Sequence, residues 1–382
     1  MKKAIIILPT YNEKGNIDRI IPILEDDVFP KIKNWEMEIL VVDDTSPDGT
    51  ADVVRECMRK YKNLHLIVGP KHGLGAAYIR GMEYAVKELH ADVLFEMDAD
   101  FFHDPHKVPE FLRKIDEGYD FVIGTRYSDG GSIPANWAMK RKFYSIVGNF
   151  IVRSIFMRFS IHDWTGGYRA IKKEVFIKER DKLSIFIGYR FQVGFLHTAV
   201  ADGYKIAEVP FHAKDRTTGV SKMEGAETII DTLSYVITAR IKELVFGKFG
   251  KFLVVGGVGF VLNAIVLQAL VQYADWHPAS ANLVGAALAI FSNYNLNNLW
   301  TFKDEKSRTI FSYTKKLIGF YASSSFGVIF IQTGTIFLGT HFIGEQYYFL
   351  YFIFGTGLLL IWNFTMYSKF IWRNKPHEVF KK

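Results

Sequence analysis

The feature that most constrains this 382-residue chain is an abrupt change in composition near residue 245. Before that point charged and apolar residues interleave, as they do in soluble α/β domains. Beyond it lie four apolar segments, each close to the ~20 residues that a helix needs to cross a bilayer. They cover roughly 250–272, 279–300, 314–339 and 346–370. We therefore expect a domain at 1–245 and an all-α, four-helix transmembrane domain at 246–382; buried core helices are the alternative.

Basic residues between the apolar segments predict their orientation. The loop after the second segment and the tail after the fourth are rich in lysine and arginine, whereas 273–278 and 340–346 contain neither. Basic loops of membrane proteins stay on the cytoplasmic side. We expect a multi-pass protein of the cell membrane, with the N-terminal domain and the C-terminus in the cytoplasm.

Net charge and cysteine content narrow the function classes. The formal net charge is +7, but no nucleic-acid-binding motif is present, so a membrane surface and anionic substrates explain the charge better. Cys57 is the only cysteine, which excludes disulfides within the chain and fits a reducing compartment.

The first half alternates short apolar runs with helix-like segments. The predicted strands are Ala4–Leu8, Glu38–Val42, Val93–Met97 and Phe121–Gly124. Helices are predicted between them, at 15–24, 48–61 and 74–89. This order indicates an α/β fold with a mainly parallel, Rossmann-like sheet covered on both faces. Ligands of such sheets bind beyond the carboxyl ends of the strands.

Acidic residues follow two of these strands. Asp98 and Asp100 come directly after Val93–Met97, and Asp43-Asp44 follows Glu38–Val42. Two carboxylates this close repel unless a cation neutralises them, and oxygen-only ligands suit Mg²⁺ or Mn²⁺. Asp44 is placed to accept hydrogen bonds from a base edge or a ribose. The alternatives are a solvated capping turn at Asp98–Asp100 and an Asx-turn or helix cap at Asp44.

A second set of candidates is basic. Arginine forks suit phosphate oxygens, although a single arginine is more often a surface charge. The set comprises Arg126, Lys140, Arg141, Lys142, Arg216 and Lys222.

Taken together, these segments resemble the polyprenol-phosphate-mannose (dolichol-phosphate-mannose) synthases, inverting glycosyltransferases of the GT-A fold. The motifs that carry the resemblance are Pro9–Glu13, Val42–Asp44, Glu96–Asp100, Ile123–Tyr127, Asp163–Arg169 and Gly219–Met223. The apolar half resembles the GtrA-like four-helix membrane domain that is often fused to such enzymes. Asn263 and the asparagines at 293–298 lie within its predicted spans, where they pair helices or touch a lipid phosphate.

The resemblance implies a role for each matching position. Pro9, Tyr11, Glu13, Val42 and Asp44 would hold the nucleoside of a donor, and Asp98 and Asp100 would hold Mg²⁺ or Mn²⁺ with Ala99 close by. The donor and acceptor phosphates would face Arg126, Arg141, Ser145, Arg216 and Lys222, and the catalytic residues would be Asp100, Arg126 and Arg216. Two positions depart from the family pattern, since Phe102 and Gly194 stand where relatives often have Gln and Glu.

The implied reaction transfers mannose from GDP-mannose to a polyprenyl (dolichyl) phosphate with inversion. The lipid phosphate is already anionic, so a general base is unnecessary. Basic amphipathic segments at about 136–160 and 226–247 would lie at the membrane surface; an ordinary core-facing helix is the alternative for the first. Two other functions stay open: glucosyl transfer from UDP-glucose, and translocation of a lipid-linked sugar.

Overall fold

The computed structural model of the chain describes residues 1–373 apart from 187, 189, 216–224 and 308. It divides into two compact units, Met1–Thr238 and Ala239–Lys382. The boundary falls within one long helix.

The first unit contains a mixed sheet that is parallel over most of its width. In the described residues the strand order is β3-β2-β1-β4-β6-β5-β7, and only β6 runs antiparallel to its neighbours. The strands are β1 Lys2–Thr10, β2 Trp35–Asp43, β3 Leu64–Val68, β4 Val93–Glu96, β5 Phe121–Thr125, β6 Arg169–Lys172 and β7 Ile206–Pro210.

Helices cover both faces of this sheet, as the alternation of elements predicts. The helices described in this unit are α1 Lys14–Pro22, α2 Thr50–Lys60, α3 Leu74–Lys87, α4 Val108–Asp116, α5 Met139–Phe156, α6 Lys173–Leu183, α7 Arg190–Ala201 and the first part of α8 Gly225–Phe246. The predicted fold class is therefore confirmed.

The central strand shows why the sheet is buried on both sides. Ala4, Ile6 and Leu8 pack into the main hydrophobic cluster, whereas Ile7 faces α3. A Cβ on Gly81 of α3 would lie 2.7 Å from Ile7 Cγ2 and 2.8 Å from a Val42 methyl. Only glycine allows this close approach, which sets α3 against the carboxyl halves of β1 and β2.

Three of the strands were not predicted from the sequence. β3, β6 and β7 are short: most residues of β3 are only partly buried, β6 begins and ends with a basic residue, and β7 alternates between buried and partly exposed residues. Short strands with polar or charged residues give only a weak apolar signal in the sequence.

The second unit consists of helices with apolar surfaces. After the end of α8 come α9 Lys248–Ala274, α10 Pro278–Leu296, α11 Ile310–Phe326, α12 Thr333–Phe342 and α13 Tyr348–Met366. A π-helical stretch, Gly327–Gln332, joins α11 to α12. Two helices are long and apolar enough to cross a bilayer by length and composition within the described part of the chain: Ile230–Ala274 and Ile310–Phe342. The prediction of four spans stays a prediction.

The ends of α10 and α13 adopt the same local structure. Each continues into one π-helical turn, in which Phe302 N–H donates to Asn297 O at 2.7 Å and Trp372 N–H to Tyr367 O at 2.8 Å. The rings of Phe302 and Trp372 stack with centroids 4.7 Å apart, and Trp372 Nε1 donates to Asn298 Oδ1 at 3.0 Å. One of the predicted asparagines therefore pairs helices.

Candidate active site

Many of the predicted site residues lie at one edge of the sheet, where they follow the carboxyl ends of β1, β2, β4 and β5. Parallel pairing sets Thr10 beside Asp43 and Ile7 beside Glu96, so the segments that follow these strands emerge together. These segments carry Tyr11, Glu13, Asp44, Asp98, Ala99, Asp100 and Arg126.

Asp43 has a structural role at this edge. Its completely buried carboxylate accepts hydrogen bonds from Thr10 Oγ1 at 2.9 Å, from Ser46 N at 2.8 Å and from Ser46 Oγ at 2.6 Å. Ser46 Oγ in turn accepts from Asn12 N at 3.0 Å. The loops after β1 and β2 are thus fastened to each other.

Asp44 is mostly buried and faces α3. Its Oδ1 accepts a hydrogen bond from Arg80 Nη2 at 2.7 Å, and Arg80 Nη1 also donates to Pro70 O at 3.1 Å. The pair fixes the orientation of the carboxylate. The sequence alone does not identify Arg80 as its partner, because the two residues are 36 positions apart.

The other predicted nucleoside contacts lie around Asp44. Val42 is buried and Pro9 is partly exposed at the ends of their strands. The Tyr11 ring lies under Lys71, with Nζ 3.5 Å from the ring centroid. Glu13 Oε2 accepts from Asn16 Nδ2 at 2.7 Å, at the start of α1. An aromatic face and oriented carboxylates therefore surround this part of the edge.

Asp98 and Asp100 lie in a tight turn after β4. Asp98 Oδ1 accepts from Tyr78 Oη at 3.2 Å, and the Asp98 amide donates to His103 Nδ1 at 3.0 Å. Asp100 Oδ1 accepts from the Phe102 amide at 3.1 Å. The turn requires a left-handed residue, Phe101 with φ of 62°.

The chemistry of these side chains fits a divalent cation. Their carboxylate oxygens are the hard ligands that Mg²⁺ and Mn²⁺ prefer in proteins. In the described part of the chain no cluster of three or more His, Cys, Asp or Glu side chains forms a metal site. Two carboxylates would thus supply only part of a shell of about six oxygens, and a diphosphate and water would complete it.

Phe102 joins an aromatic floor beside this turn. Its ring stacks on Trp137 with centroids 6.0 Å apart and lies 5.7 Å from the Arg126 guanidinium carbon. At the other departure from the family pattern, a Cβ on Gly194 would lie 2.7 Å from the ring of Phe186. Neither position offers an amide or a carboxylate.

Arg126 is held in a buried ion pair. Its Nε and Nη2 donate to the two oxygens of Asp163 at 2.7 and 2.8 Å, and Nη2 also donates to Thr165 Oγ1 at 3.0 Å. Burial alone would raise the pKa of Asp163, but the charge and hydrogen bonds of Arg126 outweigh it and keep that pKa below its ordinary value. The sequence indicates Arg126 but not this partner.

The remaining predicted residues lie on α5 or outside the described residues. Arg141 stacks on Trp137, 3.7 Å from the ring centroid, and its Nη1 lies 3.8 Å from Asp215 Oδ1. Ser145 Oγ shares a hydrogen bond with Tyr127 Oη. Arg216, predicted to be catalytic, and Lys222 are outside the described residues.

Comparison with known proteins identifies the family. The chain is 32% identical over 350 residues to a dolichol-phosphate mannosyltransferase of Pyrococcus furiosus, which covers 89% of this chain and 93% of that protein. The chain belongs to the dolichol-phosphate mannosyltransferase family. A polyprenol monophosphomannose synthase of Mycolicibacterium smegmatis is 36% identical over 227 residues, covering 59% of this chain and 82% of that protein.

Family profiles match the two halves of this mannosyltransferase homologue separately. Residues 5–180 match glycosyl transferase family 2, and residues 251–372 match the GtrA/DPMS transmembrane domain. The predicted family and enzyme class are confirmed. A glucosyl-3-phosphoglycerate synthase from Mycobacterium tuberculosis is 18% identical with a TM-score of 0.43, over 64% of this chain and 79% of that one. That likeness is too distant to bear on function.

A buried polar cluster beneath the acidic turn is the feature of this family member that sequence reasoning missed. Glu96 and Arg169 are cross-strand partners on β4 and β6, both completely buried, with Oε2 and Nε 3.8 Å apart. Burial raises the pKa of Glu96 to about 7, although Arg169 and Gln192 act in the opposite direction. A charged residue inside an otherwise apolar strand was the available signal.

Proposed function

We propose that this protein transfers mannose from GDP-mannose to a polyprenyl phosphate, with inversion at the anomeric carbon. The observation that carries the proposal is the acidic turn Asp98–Asp100 at the carboxyl edge of the sheet, in a chain whose similarity to a dolichol-phosphate mannosyltransferase extends over both halves. The acceptor and the sugar of the proposal follow those of this relative.

The donor nucleoside would bind between the loops after β1 and β2. The Tyr11 ring offers a stacking face, and the Asp44 carboxylate, oriented by Arg80, offers an acceptor for base or ribose hydrogen bonds. Pro9, Glu13 and Val42 would complete this half of the site. The rigid hydrogen bonds of Asp43 support the proposal, since they keep both loops in place before the donor arrives.

The donor diphosphate would lie over the acidic turn. Asp98 and Asp100 would hold Mg²⁺ or Mn²⁺, with Ala99 beside them, and the cation supplies charge neutralisation for the leaving diphosphate. Arg126 would face the same phosphates from the end of β5. Its orientation by Asp163 supports this role, because a guanidinium that is already fixed loses little entropy on binding.

The acceptor needs positioning more than activation. A lipid phosphate is anionic at neutral pH and attacks the anomeric carbon without loss of a proton, so no catalytic base is required. Arg141 and Ser145 on α5 would contact this phosphate, together with Arg216 and Lys222. Attack from the side opposite the leaving diphosphate inverts the anomeric carbon.

The membrane would bring the lipid to the site. Exposed apolar residues on and just after α5 include Met139, Phe143, Ile146, Phe150, Met157 and Phe159. Lys140 and Lys142 lie near them, as in helices that rest in the headgroup layer. With the apolar helices of the second unit and the basic loops, this supports a cytoplasmic site at the bilayer surface.

The test is a transfer assay on the purified full-length protein in detergent. Polyprenyl phosphate is incubated with GDP-mannose or UDP-glucose and with Mg²⁺, Mn²⁺ or EDTA, and the glycolipid is identified by mass spectrometry. We expect a mannolipid from GDP-mannose only, with none in EDTA. A glucolipid formed from UDP-glucose would mean that UDP-glucose, and not GDP-mannose, is the donor. If neither donor gives a glycolipid, the proposed transferase activity is refuted.

Asp100→Asn and Asp92→Asn form a matched pair for this assay. Asp92 precedes the same strand at the opposite edge of the sheet, where it pairs with Lys173 at 2.7 Å. Asp100→Asn should lower the rate by about 100-fold or more, as expected when transition-state stabilisation is lost. Asp92→Asn should leave it unchanged. Equal effects would mean that Asp100 has no special role.

A further inference from the structure

The loop that holds Arg126 is itself fastened from two sides. It spans residues 161–168, between α5 and β6, and contributes Asp163 and Thr165 to the Arg126 guanidinium. The backbone amide of Arg126 also donates to Asp163 Oδ2 at 3.3 Å. Asp163 is therefore bound to both the main chain and the side chain of Arg126.

The first fastening comes from Glu208 on β7. Its Oε1 accepts from the amide of His162 at 2.6 Å and from the amide of Asp163 at 3.3 Å, while Oε2 pairs with His162 Nδ1 at 2.6 Å. Glu208 lies opposite Ile123 in the parallel β5–β7 ladder. The Glu208 carboxylate thus holds the first part of this loop beside β5 and β7.

The second fastening comes from Asn149 on α5. Asn149 is buried; its Oδ1 accepts from the Trp164 amide at 2.8 Å and its Nδ2 donates to Thr165 Oγ1 at 3.0 Å. The loop is therefore held between β7 and α5, with Asp163 between the two fastening points. An open cavity of about 390 Å³ adjoins Glu208 and His162 and is also lined by Tyr127, Ser128, Asp129 and Pro210.

We propose that Asp163 and Glu208 are positioning residues that orient Arg126 toward the phosphates of the nucleotide, Asp163 directly and Glu208 through the loop. The inference rests on the proposed function, because it assumes that Arg126 meets those phosphates. Neither acid needs to touch substrate. Each acts by restricting the rotamers of a long side chain, which has several flexible bonds.

The alternative is that the ion pair only stabilises the fold. Geometry favours positioning, because Asp163 engages Nε and Nη2 together and so fixes the plane of the guanidinium as well as its charge. A purely structural pair requires only neutralisation. The two roles differ in one measurable respect: a positioning residue loses its effect on function once Arg126 is removed.

The experiment is a double-mutant cycle on the full-length protein in detergent. Asp163→Asn, Arg126→Ala and the double variant are compared with wild type for kcat and KM, and for binding of GDP or UDP with Mg²⁺ by calorimetry. We expect Asp163→Asn to lower kcat/KM by about 10- to 100-fold, as for other supporting residues of an active site. In the Arg126→Ala background it should add almost nothing.

Two further variants keep the test sharp if Asp163→Asn does not fold. Glu208→Gln retains one acceptor oxygen, and it should weaken nucleotide binding and turnover in the same direction but less strongly. Asp120→Asn is the matched control, since Asp120 pairs with Lys172 at 2.9 Å at the opposite end of β5. Unfolding temperature and elution volume are recorded for each variant.

The outcomes separate the two proposals. Additive effects of Asp163→Asn and Arg126→Ala, or an unchanged kcat/KM in Asp163→Asn and Glu208→Gln, overturn the positioning role and leave the transferase intact. If the wild type binds GDP or UDP but transfers no sugar, the proposed function is refuted. The double-mutant cycle measured by nucleotide binding then still tests whether Asp163 positions Arg126. Binding of neither nucleotide counts against both.

Discussion

Asp43 and Asp44 are adjacent in the chain, yet their environments give them different tasks. Asp43 is completely buried and accepts hydrogen bonds from Thr10 and Ser46, whereas Asp44 reaches toward Arg80 at the rim of the site. Asp43 is the last residue of β2 and Asp44 is the first residue beyond it, so the two neighbouring side chains leave the chain in different directions.

The pair makes a prediction about stability and affinity. Asp43→Asn should lower the free energy of unfolding by about 1–3 kcal/mol, since a charged acceptor of buried hydrogen bonds is lost. Asp44→Asn should instead raise KM for the nucleotide sugar and change the unfolding temperature little. Thermal unfolding and donor titration measure both. The prediction is wrong if the two variants lose stability equally.

His106 predicts a pH dependence of stability. It lies between Asp27 and Asp104, at 2.8 and 3.0 Å, and these hydrogen bonds raise the pKa of His106 above 6.5 in the folded protein. A raised pKa means that the folded state binds the proton more tightly. The contribution of protonated His106 to the free energy of unfolding is complete below about pH 6.5, and it is lost as the pH rises through the pKa of His106 in the folded protein.

The measurement is the unfolding temperature of wild type and His106→Gln across this range. The wild type should be more stable at about pH 6, and the difference should shrink toward about pH 9 as the imidazole becomes neutral. A difference that stays constant over the range would assign it to packing instead of charge.

The two faces of helix α5 lie in different environments. Asn149, Val152 and Phe156 are buried against the sheet domain, while Phe143 and Phe150 are 62% and 61% exposed. Large aromatic rings on the outside of a soluble domain indicate a surface that contacts another apolar phase. The membrane is the partner that we expect for this face.

Insertion of the α5 face into lipid is testable with a single label. In a Cys57→Ser background, Phe150→Cys carries an environment-sensitive fluorophore in nanodiscs that contain quencher lipids. We expect strong quenching there. Ile177→Cys on α6 is the matched control, because Ile177 has similar exposure, 56%, on another helix. Equal quenching at both positions, or none at Phe150→Cys, contradicts an interfacial α5.

At the scale of the whole molecule, the second unit combines apolar surfaces with a few buried polar contacts. A Cβ on Gly259 of α9 would lie 2.4 Å from the Asn293 amide of α10, and one on Gly285 would lie 2.3 Å from Asn263 Oδ1. Small residues facing polar ones allow two helices to approach closely and pair inside a bilayer.

The predicted topology assigns the loops of this unit to opposite sides of the membrane. In the Cys57→Ser background, Lys303→Cys and Asp275→Cys place single thiols in two exposed loops. An impermeant thiol reagent should label Lys303→Cys only in inside-out vesicles and Asp275→Cys only in right-side-out vesicles. Labelling of both from one side would refute four spans with cytoplasmic termini.

Local sequence patterns sufficed for the elements with strong, continuous signals. The runs Ala4–Leu8 and Phe121–Gly124 are buried strands, and the acids that follow strands meet at one edge. The apolar helices of the second unit were equally predictable from the sequence. Edge and mixed strands such as β6 and β7 were not, because their burial depends on neighbours that the sequence does not specify.

The sequence by itself determined the mainly parallel sheet of the first half and the apolar helices of the second half, since each depends on spacing and hydrophobicity along the chain. Only tertiary structure decided the partners: Arg80 for Asp44, Asp163 for Arg126 and Arg169 for Glu96. A buried charge needs a counter-charge nearby, and folding supplies it from residues that are remote in sequence.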